Sequence, residues 1–128
     1  MRQVMSGFGW LGLVLLGCSA CARVQVYAGP RLSRDEVGVI AGDPTVTAGL
    51  PLTAVLRKVD NRVIAWNVTH AEVLPGEHLV LVDCRLRDST VRFELPVTVL
   101  AGYRYHVVAT PSPGNHSCAE VTWRESRH

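Results

Sequence analysis

The feature that most constrains the fold is a succession of short apolar runs separated by turn residues. From Leu52 onward the runs alternate with polar residues or are rich in β-branched side chains, a pattern typical of strands. Turn signals interrupt them at Asp60-Asn61 and at residues 74–77, 87–90, 101–102 and 111–115. About seven short strands with scarcely any helical period predict an all-β domain, a small antiparallel β-sandwich.

The predicted strands cover residues 37–40, 53–59, 62–68, 78–86, 91–100, 103–109 and 118–123. Pro96 has no backbone N–H to donate, so the strand that contains it is expected at a sheet edge or a bulge. Ahead of the strands, Ser33 and Glu36 have the spacing of a capping box, which predicts one helical turn.

The amino terminus has the three zones of an export signal. Arg2 provides a positive start, Met5 to Leu16 form an apolar run without a charge, and small residues follow. The alternative is a transmembrane helix that stays in place. As a helix, this run would extend about 18 Å, short of the roughly 30 Å hydrocarbon core of a bilayer. An export signal is therefore the preferred interpretation.

The motif Leu15-Leu16-Gly17-Cys18 resembles the bacterial lipobox. In signals of that family the cysteine receives a diacylglyceryl group, and the residues before it are removed. The resemblance implies a lipoprotein signal peptide at residues 1–17, lipidation of Cys18, a lipidated tether at 18–30 and the β-sandwich domain at 31–128. Two or three acyl chains would anchor the protein durably to a membrane.

The same segment predicts a location in the cell envelope. In enteric bacteria an aspartate after the lipid cysteine is associated with retention at the inner membrane, and Ser19 stands there instead. The expectation is an outer-membrane anchor with the domain facing the periplasm. The alternatives are a conventional signal cleaved after Ala20 or Ala22, and lipidation of Cys21, which lacks the preceding aliphatic residue.

The remaining cysteines predict a disulfide, because an exported protein reaches an oxidising compartment. Cys84 and Cys118 both lie in predicted strands, whereas Cys21 lies in the tether, so we expect the bond Cys84–Cys118. It would close a loop of about 35 residues and contribute roughly 3–4 kcal/mol on the chain-entropy model. Cys21 is left either as a free thiol or bridged to another molecule.

Composition excludes two classes of protein. Hydrophobic residues make up 48% of the 128 and the formal net charge is only +2, which is incompatible with a disordered chain. Thirteen basic residues against 11 acidic ones give no general electrostatic basis for nucleic-acid binding. We therefore expect a folded domain without a nucleic-acid partner.

Motifs for catalysis and metal binding are missing from the domain. It contains neither a Cys-x-x-Cys pair nor a Gly-x-Ser-x-Gly elbow. These observations predict a protein that is not an enzyme and has no cofactor and no metal. The alternative is an envelope enzyme or metal-binding protein that uses His78, His106 or His116, since imidazole titrates near neutral pH and binds metals.

Three segments are similar to the PEGA-type surface domains of bacteria: Val59-Asp60-Asn61, the run from Leu74 to Val82, and Ala101 to Tyr105. Residues 27–39 also look like the start of small proteobacterial lipoproteins built on that plan. The resemblance implies a prealbumin-like or immunoglobulin-like sandwich without established catalytic residues, and it makes His78 a packing residue. Asn61 departs from the glycine usual in the family's turn.

The expected function is a non-enzymatic binding or structural module for an envelope protein or a wall polymer such as peptidoglycan. Two basic rims at the turns are candidates for contact with anionic headgroups or wall carboxylates, and solvated strand ends are the alternative: Arg57, Lys58 and Arg62, and Arg85, Arg87 and Arg92. Trp66 and Trp123 are candidates for stacking on sugar rings, with packing at a sheet edge or in the core as the alternative.

Overall fold

The structure is a computed structural model that describes residues 23–43 and 52–127. The predicted signal peptide, Cys18 and Cys21 lie outside the described residues. Within them the chain forms a β-sandwich, as predicted, and none of its helices is long and apolar enough to cross a membrane. The strands are β1 (Arg23–Gln25), β2 (Gly38–Ala41), β3 (Leu52–Val59), β4 (Arg62–Val63), β5 (His70–Val73), β6 (Gly76–Leu86), β7 (Ser89–Val99), β8 (Tyr103–Pro111) and β9 (Cys118–Arg127).

The strands form two sheets. One has the order β1-β5-β2-β8-β9 and the other β4-β3-β6-β7. Most neighbours are antiparallel, but β1 pairs with β5 and β2 with β8 in parallel. Neither parallel pair is joined by a hairpin, which would force opposite directions; β8, for example, enters its sheet directly from β7 of the other sheet. The predicted sandwich is confirmed, with two parallel pairings inside it.

Two predicted turns close the hairpins of the four-stranded sheet. Asp60 has a φ of 55° and lies in the β3–β4 turn, where Val59 pairs with Arg62. Arg87, with a φ of 56°, lies in the β6–β7 turn, where Leu86 pairs with Ser89. A positive φ is what tight two-residue hairpin turns require, and Asp tolerates it better than most residues.

The predicted strand at residues 62–68 is wrong beyond its first two residues. After Val63 the chain leaves the sheet and turns inward, and the Ile64 side chain is only 2% exposed. The Val68 N–H donates to the Ala65 carbonyl and closes a turn that alternation does not reveal. The chain then forms β5, which the sequence did not predict.

Pro96 lies on an edge strand, as predicted. β7 is the last strand of the four-stranded sheet, so one side of its backbone has no strand neighbour among the residues that the structure describes. The Pro96 carbonyl instead accepts a hydrogen bond of 3.2 Å from the indole Nε1 of Trp123 on β9. This bond joins the edge strands of the two sheets on the same side of the sandwich.

The core lies between the two sheets. Burial alternates along much of the longer strands, whereas all four residues of β2 are buried. Val80 and Val82 of β6 and Ile40 of β2 are fully buried, as is Tyr105 of β8. The Tyr105 ring packs edge-on against Trp123, with 5.3 Å between ring centroids. Its hydroxyl accepts from the backbone N–H of Leu100 and donates to the Glu125 carboxylate, so this polar group is satisfied inside an apolar core.

The sheet begins earlier than the predicted domain boundary at residue 31. β1 lies within the segment predicted as a tether, and the Tyr27 side chain that follows it is buried. The Tyr27 hydroxyl accepts a hydrogen bond from the backbone N–H of Leu32. The predicted turn comes next as a 3₁₀ turn at Arg34–Glu36, where the Ser33 N–H and hydroxyl both donate to the Glu36 carboxylate.

The predicted disulfide is present and connects the two sheets. Cys84 lies in β6 and Cys118 begins β9, with 6.2 Å between their Cα atoms and a sequence separation of 34. The pair forms a second apolar cluster together with Leu52 and Leu86. The bond fixes the start of β9 against the opposite sheet.

Replacing both cysteines, as in C84A/C118A, is expected to lower the free energy of unfolding by roughly 3–4 kcal/mol. The unfolded chain then regains the entropy that the closed loop removes. Urea unfolding measures this difference, and C21S is the matched control. Non-reducing peptide mapping that found Cys84 and Cys118 as two free thiols would contradict the assignment.

Candidate functional site

The three candidate histidines lie on different parts of the sandwich. His78 lies near the start of β6, His106 is on the other sheet in β8, and His116 is exposed in the loop between β8 and β9. Among residues 23–43 and 52–127 there is no group of three His, Cys, Asp or Glu side chains that could hold a metal ion. The described structure does not bring these histidines together.

His78 borders a shallow surface groove of about 360 Å³. The groove is lined by Asp60, Glu77, His78, Leu79, Pro96, Val97 and Thr98. Both ring nitrogens of His78 are occupied: Nδ1 lies 2.7 Å from Oδ2 of Asp60, and Nε2 lies 2.7 Å from the Leu74 carbonyl oxygen. A ring held on both sides has no nitrogen left for a substrate or a metal, in agreement with a packing role.

Asp60 connects its own turn to the neighbouring strand. Besides His78, its carboxylate accepts a 3.0 Å hydrogen bond from the backbone N–H of Leu79. Partial burial opposes ionisation, but the hydrogen bonds from His78 and Leu79 prevail and hold the pKa of Asp60 below its ordinary value. The groove wall is therefore a structural junction between the β3–β4 turn and β6.

Asp83 forms ion pairs with two arginines of the predicted basic rims, Arg57 and Arg92. Asp83 lies on the outer face of β6 and is only 5% exposed. The Arg92 guanidinium donates two hydrogen bonds, of 2.8 and 3.1 Å, to its carboxylate. Arg57 adds an ion pair at 3.5 Å from the bulge in β3. The Arg92 hydrogen bonds, followed by the charges of Arg92, Arg57 and Arg85, overcome burial and lower the pKa of Asp83. Two of these arginines are thus committed to a buried carboxylate.

Glu72 forms a similar centre on the other sheet, at a position where no site was predicted from the sequence. Its carboxylate is 3.2 Å from Arg23 of β1 and 2.8 Å from Arg31. Burial opposes ionisation, but hydrogen bonds from Arg31 and Arg23 keep the pKa of Glu72 below its ordinary value. The available signal was an acidic residue between the apolar Ala71 and Val73, a position where a strand must supply a partner.

The two long edge strands differ in how open they are to pairing. β7 carries Pro96, and a proline interrupts the hydrogen bonds that an added strand would make. β9 has ten residues and no proline, and most of its side chains are exposed. It is also the outer strand of the five-stranded sheet. β9 is therefore the better-formed edge for main-chain recognition.

The two candidate tryptophans have different environments. Trp123 packs on Tyr105 and donates to Pro96, which is the edge packing considered above as the alternative. Trp66 is 83% exposed in the segment after β4. Of the two rings, only Trp66 offers its surface to a ligand.

The junction predicts coupled stability effects at Asp60 and His78. Asp60→Asn keeps a residue that tolerates positive φ but removes the charge, and we expect a loss of about 1 kcal/mol in the free energy of unfolding. Because the residues contact each other, D60N/H78Q should cost less than the sum of D60N and H78Q. Urea unfolding of all three tests this, with E94Q on the exposed face of β7 as the charge-matched control. Strict additivity would disprove the coupling.

Comparisons with protein-family models, curated proteins and solved structures found no match to this chain.

Proposed function

We propose that the chain is a lipid-anchored, non-enzymatic binding module of the bacterial cell envelope, built on a PEGA-type sandwich. A lipid on Cys18 would anchor it to a membrane. The proposed location is the outer membrane, with the domain facing the periplasm. The domain would bind an envelope protein or a wall polymer. The observation that carries the proposal is the long open edge of β9.

The edge of β9 supports recognition by strand addition. An extended segment of a partner protein can add to an exposed sheet edge through main-chain hydrogen bonds, while alternate side chains provide specificity. Cys118 holds one end of β9 to the opposite sheet, and Trp123 holds its middle to Pro96. An edge fixed at these points loses little conformational freedom when a partner binds. This favours an envelope protein over a polymer as the partner at this edge.

The short distance along the chain between Cys18 and β1 bears on the anchor. β1 begins at Arg23, five positions after Cys18. Five extended residues span at most about 18 Å. An acylated Cys18 would therefore keep the domain within a short distance of the bilayer surface, with the sheet edge at β1 nearest to the lipid.

The alternative of an enzyme or metal-binding protein has weaker support. His78 has both ring nitrogens engaged, while His106 and His116 lie on separate elements. General acid–base catalysis needs a group within hydrogen-bond reach of a substrate, and nucleophilic catalysis needs a second group beside it. No specific observation favours this alternative.

The anchor predicts a covalent modification at a single residue. Intact-mass analysis of protein purified from bacterial membranes should find a mature chain that begins at an acylated Cys18. C18A should remain unprocessed or lose the lipid mass, whereas C21S should be processed normally. A mature chain that begins at Arg23 and carries no lipid would contradict the anchor.

The edge predicts where a partner should crosslink. A photoreactive amino acid at Thr122, exposed on β9, should capture one recurrent envelope protein in living cells. The same amino acid at Asn61, exposed in the β3–β4 turn, is the matched control and should not capture that protein. Identical products from both positions, or none from Thr122, would disprove recognition through β9.

A further inference from the structure

The outer face of the five-stranded sheet carries a row of basic and imidazole side chains that crosses all five strands. Arg23 of β1 pairs with His70 of β5, which pairs with Ala41 of β2. Ala41 in turn pairs with His106 of β8, and His106 with Arg124 of β9. Residues in register on neighbouring strands point to the same face of a sheet, so these five form one transverse row.

The neighbouring residues establish which face the row occupies. Ala71, Ile40 and Tyr105 each adjoin a member of the row in sequence, and all three are fully buried in the core between the sheets. Since successive side chains alternate across a strand, the row points away from the core. Ala41 contributes only a methyl group between the two histidines.

Arg104 adds a further cation beside the row. It precedes His106 by two positions on β8 and therefore shares its face. The Arg104 Nε is buried and has no hydrogen-bond partner in the described part of the chain. Such an unmatched guanidinium donor is unusual in a folded protein and calls for an acceptor.

The positive charges of this face act on His70. Burial is the largest cause that lowers the pKa of His70 below its ordinary value of 6.5, and the charges of Arg104, Arg23 and His106 lower it further. The His70 Nδ1 lies 2.7 Å from the Thr69 hydroxyl, which leaves Nε2 as the ring nitrogen for a ligand. An anion placed here would reverse the electrostatic penalty on protonated His70.

The acidic groups on this face do not cancel its charge. Glu72 lies in register with Arg104 through Val39 and pairs with Arg23 and Arg31 through Oε2, while its buried Oε1 has no hydrogen-bond partner among the described residues. Asp43 lies two positions after Ala41, just beyond the end of β2. Its backbone exchanges hydrogen bonds with Ala54, and Asp43 has a further interaction. Glu120 lies farther along β9, beside Thr110. Arg104 and Arg124 remain as cations without an ion pair in the described structure, next to two histidines.

We propose that this row binds a phosphate group through Arg104, Arg124 and protonated His70 and His106. Phosphate offers several acceptor oxygens to donors arriving from different strands, and arginine matches its geometry with two parallel hydrogen bonds. The site requires neither a lipid at Cys18 nor a partner at β9.

Phosphate binding is coupled to protonation of the histidines. The two arginines keep their charge throughout this pH range, whereas an imidazole donates from both ring nitrogens only in its protonated form. By linkage, a ligand that prefers the protonated form raises the histidine pKa, and lower pH strengthens its binding by the same free energy. We expect a phosphodiester, which keeps a single charge over this range, to bind more tightly at pH 5.5 than at pH 7.5. Inorganic phosphate should gain less, because it takes up a proton itself in the same range.

The test is an NMR titration of the histidine rings in the full-length chain in a non-ionic detergent. Inorganic phosphate should shift the His70 and His106 resonances in a saturable manner and raise the pKa of His70, whereas chloride at equal ionic strength should not. R104Q and H106Q should each weaken binding about tenfold or more. R62Q and H116Q, at exposed positions outside the row, should bind like the wild type.

A second probe distinguishes the sources of the phosphate. Dihexanoyl phosphatidylglycerol below its micelle concentration should give the same Arg104-dependent shifts if the site takes a lipid headgroup. Shifts with inorganic phosphate alone would assign it to free phosphate. Shifts that are equal for chloride, linear in concentration or unchanged in R104Q and H106Q would overturn the proposal, whatever the outcome at Cys18 or β9.

Discussion

The structure depends on burying one face of each sheet against the other. Side chains alternate along a strand, so a slip of one residue would move the entire apolar set to solvent, and burial therefore fixes the register. The same constraint determines what the outer faces display. Burial of Val82 and Cys84 places Asp83 on the outside of β6, where arginines reach it. Burial of Ile40 and Tyr105 aligns His70, His106 and Arg124 in one row on the other sheet.

Both outer faces carry a buried carboxylate held by arginines, and the outer face of the five-stranded sheet also carries cations without an ion pair in the part of the chain that the structure describes. Asp83 and Glu72 are both only 5% exposed, and each is held ionised by two arginines in ion-pair contact. Such centres connect strands and, in the case of Glu72, bring the segment around Arg31 onto the sheet. Burying a carboxylate is costly, and these arginines offset that cost with hydrogen bonds. Near His70 the charges are not matched in this way, because Arg104 and Arg124 have no carboxylate in ion-pair contact among the described residues. Cations without an ion pair on a folded surface favour binding of an anionic ligand, whereas cations paired with carboxylates stabilise the fold.

Some features of this fold could be predicted from local sequence and others could not. The turns at Asp60-Asn61 and Arg87-Asp88, the edge position of Pro96 and the strands β3, β6 and β7 follow from local backbone chemistry. The Cys84–Cys118 bond followed from strand assignment and an expected oxidising compartment. By contrast, β5 is too short to stand out by periodicity, and its neighbours β1 and β2 are distant in sequence. The row that contains His70 and His106 could not be predicted for the same reason. It depends on the order of the strands in the sheet, which the alternation of apolar and polar residues does not specify.

The disulfide and the open edge of β9 are physically related. A strand at the edge of a sheet gains hydrogen bonds from one neighbour only, so its ends are the first parts of a sheet to fray. In this chain Cys118 ties the first residue of β9 to the opposite sheet, and farther along Trp123 donates to the backbone of β7. At the other end the Arg127 guanidinium lies 5.2 Å from the centre of the Tyr103 ring. These contacts all involve side chains, so they hold the strand in place without occupying the outward hydrogen-bonding groups of its backbone. β9 can therefore be both ordered and unpaired, which is the condition under which an edge recognises another chain at low entropic cost.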